Sequence, residues 1–266
     1  MGGTVLYFCL IYLLFFIIME IHVVTCSGAN EHTDFVGLFN LVEKNPAIDV
    51  EIGIPVSGSN ASYGTAKFWW LKALYYYQLS TKKTIDLSLH LCCDWVESFC
   101  KGDVPDEVDE LLSLRNHDGL HFISAVQLNF KVGREKAPKL THLIEVLKRY
   151  PDQQFILSYN DDNAETIAQL RDRGMDFDVL YDDSFGGGQL PKHWKKPVFT
   201  DVMQGYSGGF SPENIYAELE KISKVVPKKR SIFIDAEGLL KGPDGYFCLK
   251  RADMFVKEVV RWVNNH

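Results

Sequence analysis

Eight short β-branched or apolar runs alternate with amphipathic stretches along this chain, and that alternation limits its fold more than any other feature. The runs are Ile21–Cys26, Val50–Val56, Thr84–Cys92, Gly119–Asn129, Gln154–Tyr159, Phe177–Asp182, Val198–Met203 and Ser231–Glu237. Between and after them lie helical stretches at Phe35–Lys44, Ala66–Gln78, Glu107–Arg115, Lys139–Tyr150 and Ala164–Arg173. A weaker one follows at Pro191–Trp194, then Pro212–Val226 and Leu249–Val263. Ser211-Pro212 is a helix-start pair, and Ala217, Leu219, Ile222 and Val225 recur near helical spacing behind it. Eight strand–helix units of about 30 residues predict an α/β protein, a single (β/α)8 or TIM barrel. The rival, a doubly wound sheet, usually carries a GxGxxG turn after its first strand. Here that turn reads Ser27-Gly28-Ala29-Asn30.

The strand count also bears on the N-terminus. Of residues 1–18, 15 are apolar and none is charged. The uninterrupted run Val5–Met19 falls short of the roughly 20 apolar residues of a membrane span and is closer in length to the core of a signal peptide. It has no leading Lys or Arg. It therefore reads as an appendage: an anchor, a signal cut before residue 21, or an extension upstream of a start at Met19. A start at Met19 implies a cytoplasmic protein, and the other two imply the secretory pathway or a membrane anchor. Cleavage after Cys26 would remove the first strand, so the barrel is expected over residues 19–266. The sequon Asn60-Ala61-Ser62 matters only in a secreted chain.

The formal net charge of −7 opposes a nucleic-acid partner, which needs a basic surface. The six cysteines show neither a disulfide framework nor a CxxC zinc pattern, so no metal site is expected.

In such a barrel the chemistry sits at the C-terminal ends of the strands. The sixth ends in Tyr181-Asp182-Asp183-Ser184-Phe185-Gly186-Gly187-Gly188, a carboxylate beside a glycine-rich loop. Asp182 is either a general acid or base beside a mobile loop, or a solvated turn residue. The seventh leads into Gly205-Tyr206-Ser207-Gly208-Gly209-Phe210-Ser211-Pro212-Glu213-Asn214. Two glycines opening a helix suit a phosphate, and Ser211 suits ordinary capping. The eighth adds Asp235-Ala236-Glu237-Gly238. On the fourth, Gln127 and Asn129 share a face and could bind a sugar hydroxyl or a carboxylate, or satisfy buried backbone groups. On the third, His90 and Cys92 share a face, as a dyad or as core residues. Cys26, closing the first strand, is a base or nucleophile only if its thiol is acidified.

Together these strand ends resemble the phosphoribosylanthranilate isomerase family of (β/α)8 barrels. The resemblance runs from about Met19 to the end and rests on Val126-Gln127-Leu128-Asn129, on Val179–Asp182 with its three glycines, on Gly205–Asn214, and on Ile234–Gly238. The most specific is the pair of glycines followed by Pro-Glu-Asn. The resemblance implies a general acid at Asp182, a catalytic base at Cys26, substrate contacts at Gln127, Asn129, Asp235 and Glu237, and a phosphate site at Gly208, Gly209, Ser211 and Gly238. Cys26 stands one residue further from its glycine than the family's base does. Under a period of two, that offset decides whether it faces the barrel or the helices. The second-strand end, Pro55-Val56-Ser57-Gly58-Ser59-Asn60, lacks the family's Arg, with Lys67 the nearest cation, and Asn129-Phe130 replaces its His-Gly.

The implied activity is an Amadori-type aldose–ketose isomerisation of a small phosphorylated sugar derivative, by acid/base catalysis without cofactor or metal. The alternative is a barrel that binds a phosphorylated metabolite without this catalysis, possible also in a membrane-anchored or secreted form.

Overall fold

A computed structural model describes residues 19–58, 64–130, 139–184 and 186–266. The N-terminal apolar run up to residue 18 and the sequon at Asn60 lie outside the described residues.

Eight parallel strands close into one barrel in sequence order. They are β1 (Glu20–Ser27), β2 (Asp49–Val56), β3 (Asp86–Leu91), β4 (Ala125–Leu128), β5 (Gln154–Tyr159), β6 (Asp178–Tyr181), β7 (Gln204–Ser207) and β8 (Ser231–Ala236). Around them lie α1 (Phe35–Glu43), α2 (Phe68–Thr81), α3 (Cys93–Cys100), α4 (Asp106–Ser113), α5 (Leu140–Arg149), α6 (Ala164–Asp172), α7 (Ile215–Ile222) and α8 (Leu249–Asn264). The expected (β/α)8 barrel is therefore the fold.

Burial explains the helix positions. The helix α8 turns Ala252, Phe255, Val256, Val259 and Trp262 inward, a spacing that puts one apolar stripe on the barrel. At its N-terminus α1 is capped by Asp34, whose carboxylate accepts the N–H of Gly37 at 2.7 Å.

Two units depart from the expected pattern. The unit after β3 carries both α3 and α4. After β6, among the described residues, no helix forms, and the expected stretch at Pro191–Trp194 is irregular. Three glycines and the prolines 191 and 197 oppose a helix there. The segment is instead fixed by Trp194, which is buried against Phe210, Tyr206 and Tyr181 at ring distances of 5.1, 5.7 and 6.2 Å.

The seventh strand also moves. The run Val198–Met203 is not a strand, and Gln204–Ser207 takes its place. Gly205 fits there because any Cβ would overlap the ring of Phe233 on β8.

Inside the barrel the strand period of two sorts the residues into layers. Ala125, Ile156, Leu180 and Phe233, with Val23 and Met203, form an apolar plug. Toward the C-terminal ends the interior turns polar, with Thr25, Ser27, Glu51, His90, Gln127, Ser158 and Asp235 all buried. The opposite faces of the same strands, including Val24, Cys26, Ile52, Leu89, Val126 and Ile234, join the core between sheet and helices.

Candidate functional site

At the C-terminal strand ends the polar layer opens into a cavity of about 540 Å³. Eight of the ten site residues that the resemblance implies line it: Gln127, Asn129, Asp182, Gly208, Gly209, Asp235, Glu237 and Gly238. They come from the ends of β4, β6, β7 and β8, which parallel closure brings to one rim.

Asp182 follows β6 directly. Its Oδ1 accepts the N–H and the hydroxyl of Ser184 at 2.9 and 2.7 Å, and its Oδ2 accepts the N–H of Gly186 at 2.6 Å. The carboxylate thus bends the start of the glycine-rich loop back over the mouth. This is firmer than a solvated turn, and Asp182 is nine-tenths buried.

Asp235 sits deeper. Ser27 donates its hydroxyl to Oδ1 at 2.6 Å. Burial pushes the carboxyl up to about 6, opposed by hydrogen bonds from Ser27 and Gln127 and reinforced by the charge of Asp182. A group titrating there exchanges protons readily near neutral pH. Burial also raises Glu237, whose carboxylate lies 4.0 Å from Lys241 Nζ.

The amides form a chain across the floor. Gln127 Nε2 donates to Asn129 Oδ1 at 3.0 Å and lies 3.4 Å from His90 Nδ1. Burial lowers His90 to about 4, so the ring is neutral, and its Nε2 has no partner among the described residues. Cys92 lines the rim, where its thiol approaches the His90 carbonyl at 3.6 Å rather than the ring, and burial pushes that thiol up to about 12. The two do not form a nucleophilic dyad in this arrangement.

The glycine turn after β7 has φ of +114° at Gly208 and +65° at Gly209. A Cβ on Gly208 would lie 2.8 Å from the carbonyl oxygen of Gln189, and one on Gly209 2.6 Å from the N of Leu190. The segment after β6 therefore packs directly on the turn. Gly238 differs, because a Cβ there would meet nothing within 4 Å.

Two expected site residues lie elsewhere. Cys26 pairs with Ile52 and Ala236 on the outward face of β1, and its side chain joins the core under the helices. Burial there drives the thiol far up, which is the opposite of the acidification a base would need. The inward place belongs to Ser27, which the sequence reading passed over. Its signal was the alternation of polar Thr25 and Ser27 with apolar Val24 and Cys26. Ser211 is buried and does not line the cavity; it accepts the N–H of Glu213 at 3.2 Å, while its own N–H donates to Asn214 Oδ1 at 2.9 Å. That is a capping arrangement.

Among the described residues no three His, Cys, Asp or Glu side chains converge as a metal-ligand set. The lining there carries Asp182, Asp235 and Glu237 against the single cation Lys241.

No known family model and no curated protein sequence matches the chain. Solved structures are similar in fold. Phosphoribosylanthranilate isomerase from Pyrococcus furiosus matches 93% of this chain over 100% of its own, at 13% identity and a TM-score of 0.50. Phospho-2-dehydro-3-deoxyheptonate aldolase from Thermotoga maritima matches 93% over 70% of its chain, at 11% identity and 0.51. A spore coat polysaccharide biosynthesis protein E from Chromobacterium violaceum matches 92% over 75%, at 10% identity and 0.52. At such identities the likeness is one of fold, and by that measure the chain is a (β/α)8 barrel similar to phosphoribosylanthranilate isomerase.

Proposed function

We propose that the barrel mouth is an active site for proton transfer on a sugar derivative, and specifically for an Amadori-type aldose–ketose isomerisation of a phosphorylated one. The observation that carries this reading is the meeting of Asp182 and Asp235 in one cavity with the Gln127–Asn129 amide pair. Isomerisation needs two proton transfers at different atoms, and two separate carboxyl groups suit it.

In this mechanism Asp182 protonates the ring oxygen, so that the sugar opens to an iminium. A base then removes the C2 proton and leaves the enol, which tautomerises to the ketose. With Cys26 turned away from the cavity, Asp235 takes that second role, since a carboxyl near 6 is mostly ionised at neutral pH. Gln127 and Asn129 hold hydroxyls, and Glu237 orients the open chain. The phosphate end faces the Gly208-Gly209 turn and Gly238, with Lys241 as its cation.

Turnover of phosphoribosylanthranilate by the wild type, lost by more than about a hundredfold in Asp182→Asn and in Asp235→Asn, is the expected result. Absence of turnover by the wild type rejects this substrate.

The surplus of carboxylates in the described lining favours a second reading, in which a sugar without phosphate binds the same floor. A thermal-shift screen of sugars paired with their phosphates separates the two, because a ligand that binds only the folded state raises the melting temperature. Stabilisation by the phosphates alone selects the first reading, and by the parent sugars equally the second.

A further inference from the structure

We propose that Ser27 is the positioning residue of the Asp235 carboxylate, and that residue 53 is a glycine so that Ser27 can reach it. The inference deepens the reading of Asp235 as the proton-exchanging group and rests on it for its functional meaning.

The geometry begins with register. Asp235 pairs with Thr25 on β1 and with Ser207 on β7. Ser27 lies two residues further along β1, on the same inward face, and pairs on its other side with Gly53 of β2. From there its hydroxyl crosses over to Asp235 Oδ1 at 2.6 Å. A Cβ on Gly53 would overlap Ser27 Oγ, lie 2.8 Å from Ser27 Cβ and lie 3.0 Å from His90 Cε1. Gly53 sits inside a strand and is not among the glycines with positive φ. Its backbone would tolerate any residue, so space alone explains the glycine.

The hydrogen bond matters because the surroundings work against a charge on Asp235. Asp182, at the end of β6, is the charge that raises Asp235. Glu51 on β2, pushed up to about 8, keeps its own proton at neutral pH, and Glu237 follows β8 with its carboxyl also raised by burial. Lys241 acts through Glu237, His90 on β3 is neutral, and the Cys26 thiol faces outward. Against burial and the charge of Asp182, the donors are Ser27 and Gln127. A donor fixed on the carboxylate favours its ionised form. Ser27 thus keeps Asp235 competent as a base while holding Oδ1 in place.

The test is a carboxyl titration of the full chain by NMR with ¹³C-labelled aspartate, the Asp235 signal being assigned by its loss in Asp235→Asn. In Ser27→Ala the Asp235 midpoint is expected to rise by about one unit, a tenfold gain in proton affinity. Gly53→Ala, which keeps the hydroxyl but displaces it, is expected to raise the midpoint in the same direction. Ser158→Ala, which removes a different hydroxyl of the same cavity, is expected to leave it in place. An unchanged midpoint in Ser27→Ala overturns the proposal, and a shift in Ser27→Ala without one in Gly53→Ala overturns its second half. If the wild type isomerises a sugar phosphate, the acid limb of its pH–rate profile moves up with the same variants. If it turns over none, the titration still decides the role of Ser27, and the isomerase reading is what falls.

Discussion

Thr25 donates its hydroxyl to Glu51 Oε1 at 2.8 Å inside the barrel, below the cavity floor. Both residues are buried. Burial pushes Glu51 up to about 8, against the Thr25 hydrogen bond, and the charges of Asp235 and Asp86 add to the rise. The folded chain therefore binds a proton at Glu51 that the unfolded chain releases near 4.5. Between those values the native state holds more protons than the unfolded one, so this group lowers stability as pH rises. Its favourable contribution is complete below about 4.5 and is lost by about 8. Glu51→Gln removes the titration and keeps an acceptor for Thr25. The variant is expected to match the wild type near pH 4.5 and to exceed it by about 4 kcal/mol at pH 8. Urea unfolding of both proteins across that range checks this, and parallel curves would refute it.

Trp194 anchors the helix-free segment after β6. Its indole N–H donates to Glu218 Oε2 at 2.9 Å, and Glu218 is buried on α7. Trp194→Phe keeps the ring stack on Phe210 and deletes the donor, at an expected cost of about 1–3 kcal/mol. Trp194→Ala also opens the aromatic cluster and should cost about 3–5 kcal/mol. Denaturant midpoints give both numbers. Equal losses in the two variants would mean that packing contributes nothing beyond the hydrogen bond.

Asp182 organises the loop that it begins. Asp182→Asn turns one acceptor into a donor facing the N–H of Gly186 or the groups of Ser184. The stretch from Asp183 to Leu190 is then expected to open more often. Amide exchange at Ser184 and Gly186 should speed up by about tenfold or more, with little change in the barrel strands. Uniform protection in wild type and variant would leave Asp182 without this role. Loss of turnover in the same variant therefore has two physical sources, a missing proton and a loosened loop, and exchange data separate them.

The barrel was legible in the sequence because strand runs and amphipathic stretches alternate without a break in count. The rim was legible for a related reason. Parallel closure brings every strand end to one side, so locating the strand ends located Asp182, Gln127, Asn129, Asp235 and Glu237 together. Two errors have the same origin, namely that local pattern does not fix a register. At β1, Thr25, Cys26 and Ser27 all suit a strand, and pairing with Glu51 and Asp235 decides that Cys26 faces outward. A register shift between Ile21 and Val23 further hides the alternation upstream. At β7, the run Val198–Met203 suits a strand, whereas the strand runs over Gln204–Ser207, where the ring of Phe233 on the neighbouring β8 requires the glycine at 205. Both decisions rest on residues more than 25 positions away, beyond the reach of local periodicity.

The glycines of the rim provide the last test, because their constraints differ. Gly208 has φ +114°, and a Cβ would press on the Gln189 carbonyl. Gly208→Ala therefore combines backbone strain with a clash and is expected to cost about 2–4 kcal/mol. At Gly238 a Cβ meets open space on the cavity wall. Gly238→Ala should leave stability within about 0.5 kcal/mol of the wild type. Its methyl still enters the volume assigned to the ligand's phosphate end. The variant is thus expected to fold normally while binding sugar phosphates about tenfold more weakly, and parent sugars as before. Melting temperatures with and without each ligand read both effects. Unaltered affinity for every ligand in a normally folded Gly238→Ala would move the phosphate end away from the loop after β8.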